Sequence, residues 1–380
     1  MSSGPTDGKR RVARSAIEAR PLCTEPSLRG THDRLQTAPV NQRMSIKVAV
    51  LGAGGPAGVN VCRALHAAGH EVTGIDHNSL HLPWAAPYCA QTICSADLSA
   101  DLLNSLDAQV AHSQPEAPVL WLSEHRSELS AHVLLPRPEV VRLTQDKFEA
   151  ASRWFERGLR EYPPVEIQEP YPDHLHLAAD QLTLPYWLRA RRGAGAKGAI
   201  LVRNIAQAYH WIRFWAESGE ELEWVAEQYL PGRDFCWTSL WHTGRLVAAF
   251  ARERLEWMYP HLTPTGRTGT PAIAVTVHDE GVSRQATGAV LAVDPEPDGL
   301  YAVDLVCDAD GVPRPTEINS GRFPTTSPLY SELGTNLPDL YVRLAAGQDV
   351  EPVGDNCYRA GVMLARHIDC GHVWTPTPAA

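Results

Sequence analysis

Residues 46–76 place the tightest constraint on what this chain can become. Ile46-Lys47-Val48-Ala49-Val50-Leu51 reads as a buried strand. Gly52-Ala53-Gly54-Gly55-Pro56-Ala57-Gly58 follows as a tight turn, then a helix through Val59 to Ala68 that Gly69-His70 ends. Glu71 to Ile75 is a second strand closing on Asp76. Two strands joined through one helix within so few residues pair in parallel, with a right-handed crossover. Ligands of such sheets sit beyond the carboxyl ends of the strands. The glycine spacing and the acid about 20 residues on also match the dinucleotide-binding fingerprint, which keeps an NAD(P)-dependent oxidoreductase open.

A second organising stretch lies near the other end. Tyr301 to Val306 alternates as a half-buried strand, and Asp310-Gly311 reads as a two-residue hairpin turn. The returning strand carries Glu317 and Asn319, which period-2 geometry puts on one face, with Asp304 nearby on the partner strand. Three oxygen donors on one hairpin face suit Mg²⁺, which takes hard ligands and shares its shell with nucleotide phosphates. A merely polar hairpin surface reads the same way.

Between these two stretches, Pro185 to Gly198 is a strand, a basic patch and a glycine-rich loop closed by Lys197. Flexible glycines let backbone N–H groups close on phosphate oxygens, and a lysine adds a point charge. It is not the Walker pattern. Glu227-Gln228-Tyr229-Leu230-Pro231-Gly232-Arg233-Asp234 reads as a strand end and sharp turn with an acid at each end. The chain has four lysines, and the two beyond residue 47 are Lys147 and Lys197.

In the order of these motifs, from about Met44 to the C-terminus, the chain resembles the ATP-grasp superfamily, close to its carbamoyl-phosphate-synthase-like, carboxylate–amine ligase branch. The resemblance implies an α/β fold. An N-terminal doubly wound, Rossmann-like domain (residues 44–140) would precede a two-subdomain α+β ATP-grasp fold (141–380), with a lid at about 150–226 and a C-terminal subdomain at about 227–370. It implies ATP and Mg²⁺, with Mn²⁺ as a substitute, and an ADP-forming ligase joining a small carboxylate to an amine. By resemblance, Lys147, Arg189 and Lys197 contact phosphates, Arg189 standing where lysine is usual. Glu227 meets the adenine amino group, Tyr229 and Leu230 offer backbone groups to the base, and Asp234 holds the ribose. Asp304, Glu317 and Asn319 match the metal ligands. Arg322 matches the arginine on the transferred phosphate, although Ser320-Gly321 precede it where relatives have one residue. Arg252 and Arg267 are further catalytic candidates near the phosphate and acceptor. Enzymes of this branch begin with such a glycine turn without nicotinamide, which makes Gly54 and Gly55 candidates for facing an anionic substrate at the helix N-terminus.

The remaining chain adds detail. Pro118 to Leu122 reads as a strand ending in Ser123-Glu124-His125-Arg126, so Glu124 and His125 are either substrate ligands or a helix cap. Asp146 to Leu159 reads as a helix with Lys147 in its first turn, Tyr162 to Pro172 as a loop with a short strand at 165–167, and Ile205 to Ala216 as a helix with a core-facing stripe. Strands are expected at 235–241 and 246–251, a turn-rich loop at 263–270, a helix at 282–291 and a closing helix within 325–347. Residues 1–43 carry eight basic and four acidic residues without a period or an apolar h-region, and read as a disordered leader ahead of a natural start at Met44. The net charge of −10 argues against a general nucleic-acid binder. Eight cysteines without CxxC pairs point to a reducing cytoplasm, and the apolar runs are too short for a membrane span. The expected partners are small molecules, with a homodimer the assembly to consider.

Overall fold

The structure is a computed structural model that describes residues 44–376 except 170, 194, 369 and 370. The leader expectation therefore lies outside the described residues.

The first sheet is parallel. Strands β1 (Lys47–Leu51), β2 (Glu71–Asp76), β3 (Gln91–Cys94) and β4 (Val110–Ser113) lie in the order β3-β2-β1-β4. Helix α1 (Pro56–Ala67) crosses from β1 to β2 as expected, with proline in its first turn where no amide donor is needed. Its Val61, Cys62 and Leu65 pack on Val48, Val50 and Val72. The order reverses between β1 and β4, so the crevice of this sheet opens between the ends of those strands. Short helices α2 (Leu82–Ala85) and α3 (Ala100–Asn104) complete this part.

The strand expected at 118–122 is instead part of helix α4 (Glu116–Glu124). A short apolar run does not distinguish strand from buried helix. Pro118 falls in the first turn, where its missing N–H breaks no bond. Helices α5 (Pro138–Thr144) and α6 (Lys147–Glu156) follow, and the Asp146 carboxylate caps α6 by accepting from Phe148 and Glu149 N–H.

The second sheet is antiparallel: β5 (Val165–Ile167), β8 (Trp224–Gln228), β6 (Tyr186–Ala190) and β7 (Ile200–Val202), in that spatial order. It is backed by α7 (Tyr171–Leu182), a helix the sequence reading did not place, and by α8 (Ile205–Glu217). Leu175, Ala178, Ala208 and Ile212 pack there on Tyr186, Leu188 and Trp224.

The third sheet has seven antiparallel strands, β13-β12-β9-β10-β11-β14-β15. These are β9 (Asp234–His242), β10 (Arg245–Trp257), β11 (Pro271–Val277), β12 (Gly299–Cys307), β13 (Pro313–Ser320), β14 (Val362–His367) and β15 (Gly371–Pro376). Helix α9 (Glu280–Val293) and α6 cover one face, where the Trp154 indole donates to the Ala289 carbonyl at 3.1 Å. Helix α10 (Leu337–Ala345) packs with α1 in another core cluster that includes Leu240, Phe250 and Leu300 of this sheet. The β12–β13 connection is longer than the two-residue turn expected from Asp310-Gly311. Asp308 folds a five-residue loop by accepting from Asp310 and Val312 N–H, and Gly311 takes φ +81°.

Candidate active site

A cavity of about 390 Å³ collects most of the residues singled out by sequence. The β12–β13 hairpin supplies one wall. Asp304 is the cross-strand partner of Glu317, and Asn319 follows two residues later on the same face, so all three oxygen donors line the cavity. Each is met by an arginine. Arg254 Nη2 is 2.5 Å from Asp304, Arg189 Nη1 is 3.6 Å from Glu317, and Arg322 Nη2 donates to Asn319 Oδ1 at 2.6 Å. Two carboxylates and an amide oxygen fit a hard divalent cation in chemistry and in register. Among the described residues no group of three or more His, Cys, Asp or Glu is placed to hold a metal, so the asparagine is needed to complete the set.

The opposite wall comes from the second sheet. Lys147 opens α6 and donates to the Gly193 carbonyl at 2.6 Å. Burial holds its ammonium below the usual lysine range, with Glu317 opposing that shift. Arg189, on β6, donates to the Thr316 carbonyl and pairs with Glu227, each at 2.5 Å. Glu227 is 3 % exposed at the end of β8 and is gripped from its other oxygen by Arg160. Burial alone would push this carboxyl up, but the two guanidiniums outweigh it and hold it below its ordinary value. Tyr229 and Leu230 line the cavity beside it. Lys197 closes the glycine-rich loop and pairs with Glu220 at 2.8 Å.

Asp234 begins β9, between Arg254 at 3.1 Å and Arg267 at 3.3 Å. Burial raises its carboxyl, and both arginines oppose the rise. Arg267 also lies 5.8 Å from the centre of the Trp187 ring, which lines the cavity.

Other candidates fall elsewhere. Glu124 pairs with Arg142, and His125 stacks on Trp121 at 4.4 Å, at the end of α4 and off the cavity lining. They end a helix rather than a strand facing the crevice. Arg252 is fully buried and does not line the cavity. Gly54 and Gly55 do not line it either, although Ala57 of α1 and Gln114 after β4 do. The Gly54 N–H donates to Asp76 Oδ2 at 3.0 Å, and Asp76 Oδ1 takes the Asn78 N–H. The acid that would hold a dinucleotide ribose is thus bonded within the fold.

Arg160, Trp187 and Gln114 escaped the sequence reading. Arg160 meets Glu227 across 67 residues, and no motif spacing marks such a pair.

Comparison with known proteins adds the fold. No protein-family model and no curated protein sequence matches the chain. Among solved structures, N5-carboxyaminoimidazole synthetase from Staphylococcus aureus complexed with ADP is similar at 15 % identity and a TM-score of 0.67, over 86 % of this chain and 83 % of that one. The biotin carboxylase domain dimer of Hydrogenobacter thermophilus 2-oxoglutarate carboxylase, in complex with MgADP, ADP and bicarbonate, gives 15 % and 0.66, over 85 % and 74 %. L-amino acid ligase from Bacillus licheniformis gives 15 % and 0.62, over 85 % and 79 %. These are ATP-grasp enzymes, and the chain has the ATP-grasp fold.

Proposed function

We propose that the chain is an ATP-dependent, ADP-forming ligase that joins a carboxylate to an amine through an acyl phosphate. The observation that carries this reading is convergence: Lys147, Lys197, Glu227, Asp234 and the three hairpin oxygens border one cavity, although they come from separate elements. Similar structures bound to ADP support a nucleotide there.

In this reading Glu227 accepts from an exocyclic amino group of the base, beside backbone groups of Tyr229 and Leu230, and Asp234 holds the ribose hydroxyls. Lys147, Arg189 and Lys197 donate to phosphate oxygens. Asp304, Glu317 and Asn319 would hold Mg²⁺, which supplies charge neutralisation at the terminal phosphates. Arg322 releases Asn319 to steady the transferred phosphoryl group. The glycine-rich loop between β6 and β7 covers the phosphates and keeps water from the acyl phosphate. The N-terminal parallel sheet (residues 44–140) serves as the doubly wound domain preceding the ATP-grasp core (141–380), whose lid spans about 150–226. Its α1 N-terminus, near Ala57, faces an anionic substrate group.

Hydroxylamine trapping tests the mechanism. A carboxylate, ATP and hydroxylamine should give hydroxamate, with ADP and phosphate in the phosphorus NMR spectrum. Pyrophosphate would contradict phosphoryl transfer to the carboxylate. Tight ATP binding with no hydroxamate from a broad acid panel would favour a nucleotide-binding protein without turnover, which arginine at position 189 would suit.

A further inference from the structure

Each arginine that borders the cavity meets a carboxylate, and Arg252 does not. It lies in the middle of β10 and is 1 % exposed. Among the described residues, its Nη2 donates to the Cys236 thiol sulfur, at 3.5 Å, while Nε and Nη1 have no hydrogen-bond partner. Its guanidinium carbon stands 5.6 Å from the Phe250 ring centre and 5.5 Å from that of Tyr330. Tyr330 is fully buried; its hydroxyl lies beside the Arg252 guanidinium and, among the described residues, has no other hydrogen-bond partner. Ring faces compensate a cation only in part, and a buried charge ordinarily acquires a counter-ion.

Strand register locates the unmet charge. Glu317 pairs with Asp304, Asp304 with Cys236, and Cys236 with Arg252, in one row across four strands. Arg252 therefore continues, on the same face, the row of acids that lines the cavity. The segment from Phe323 to Thr325 lines the cavity and leads on to Tyr330. Gly321 and Gly334, with φ of +74° and +130°, bracket this segment; a Cβ on Gly321 would crowd Val119 and Leu135, whereas one on Gly334 would meet no described atom.

We propose that Arg252 and Tyr330 form a docking site for a substrate carboxylate other than the one that is phosphorylated. Nε and Nη1 present a planar fork that matches a carboxylate in bidentate geometry, and the tyrosine hydroxyl supplies a further donor. The rings of Phe250 and Tyr330 favour a flat oxyanion over a tetrahedral one. The anion reaches the site past residues 323–325, and the end of the substrate that bears the reacting carboxylate then lies toward the phosphate-binding acids. This assignment rests on the ligase reading for its meaning, but the anion site can be measured without nucleotide.

The test uses the full chain, Arg252→Met and Arg252→Lys, with acetate as the probe and chloride at equal ionic strength as the control. Acetate should raise the melting temperature of the wild type more than chloride does. Arg252→Met should lose that difference and melt, without anion, no lower than the wild type, because an uncompensated buried cation has gone. Arg252→Lys should keep only part of the response, since an ammonium cannot form the fork. MgATP affinity without carboxylate should be unchanged in both variants. An acetate response equal in Arg252→Met and wild type would overturn the proposal. So would a marked loss of stability in both variants with no acetate response in the wild type, which would make the guanidinium a packing element. Failure of the wild type to bind MgATP would defeat the ligase reading and leave the anion response to be judged on its own.

Discussion

In the turn after β1, glycine is required by crowding. A Cβ on Gly58 would stand 2.0 Å from the Gly52 carbonyl oxygen, and one on Gly54 would stand 2.5 Å from the His81 Cβ. In the turn between β6 and β7, Gly193 and Gly195 have nothing among the described residues within 4 Å of that position, yet take φ of +101° and +73°. The first turn is closed on itself and on the fold, with its amide spent on Asp76. The second stands over a cavity whose other borders carry Lys147, Glu227 and the hairpin oxygens. Glycine spacing alone would assign the ligand to the first turn; local crowding leaves room for one only at the second.

Substitution at the two turns should separate these roles. Gly58→Ala forces a backbone shift and should cost about 4 kcal/mol or prevent folding, measured by chemical denaturation. A loss below about 1 kcal/mol would mean the first turn has room for a ligand after all. On the cavity side, Glu317→Gln should keep the melting temperature and slow turnover about a hundredfold, on the order of 3 kcal/mol of barrier. Unchanged rates at saturating Mg²⁺ would reduce the hairpin to a structural element. Gly195→Ala has space for its methyl and pays only for a left-handed backbone, about 1 kcal/mol, so it should fold and bind the nucleotide base while covering the phosphates less well. Equal damage at Gly58 and Gly195 would erase the distinction between the turns.

The smallest effect concerns pH. The Glu227 carboxyl is held below its ordinary value of 4.5, because Arg189 and Arg160 outweigh burial. A lowered folded value contributes stability above the unfolded value, and that stability is lost as pH falls through the folded one. The melting-temperature gap between wild type and Glu227→Gln should therefore stay level from about pH 8 to about pH 5 and narrow only below that. Narrowing well above pH 5 would show that the arginine grip is weaker than its geometry implies.

Much of this was legible in the chain. The β1–α1–β2 unit, α6, α8, α9 and the β12–β13 hairpin announce themselves through apolar periodicity, caps and glycine stops, which are local signals. Helix α4 did not, because its apolar run is short and begins at a proline-rich start. Helix α7 follows a proline-rich stretch that reads as loop, and β11 follows a turn-rich one. The order of motifs singled out Lys147, Glu227, Asp234, Asp304, Glu317 and Asn319, and these line one cavity. It could not show that arginines from distant parts of the chain already hold most of those acids, nor that Arg252 of β10 meets none among the described residues. Such pairs are fixed by how the strands and the segments between them come together in space, which leaves no local trace.

The central claim is that the nucleotide belongs to the cavity under the second turn and not to the first. Isothermal calorimetry with MgATP and, separately, NADH tests it most directly. The account predicts saturable micromolar MgATP binding, lost when Lys147 and Glu227 are replaced together, and no NADH signal. Micromolar NADH binding with no heat from MgATP would contradict it.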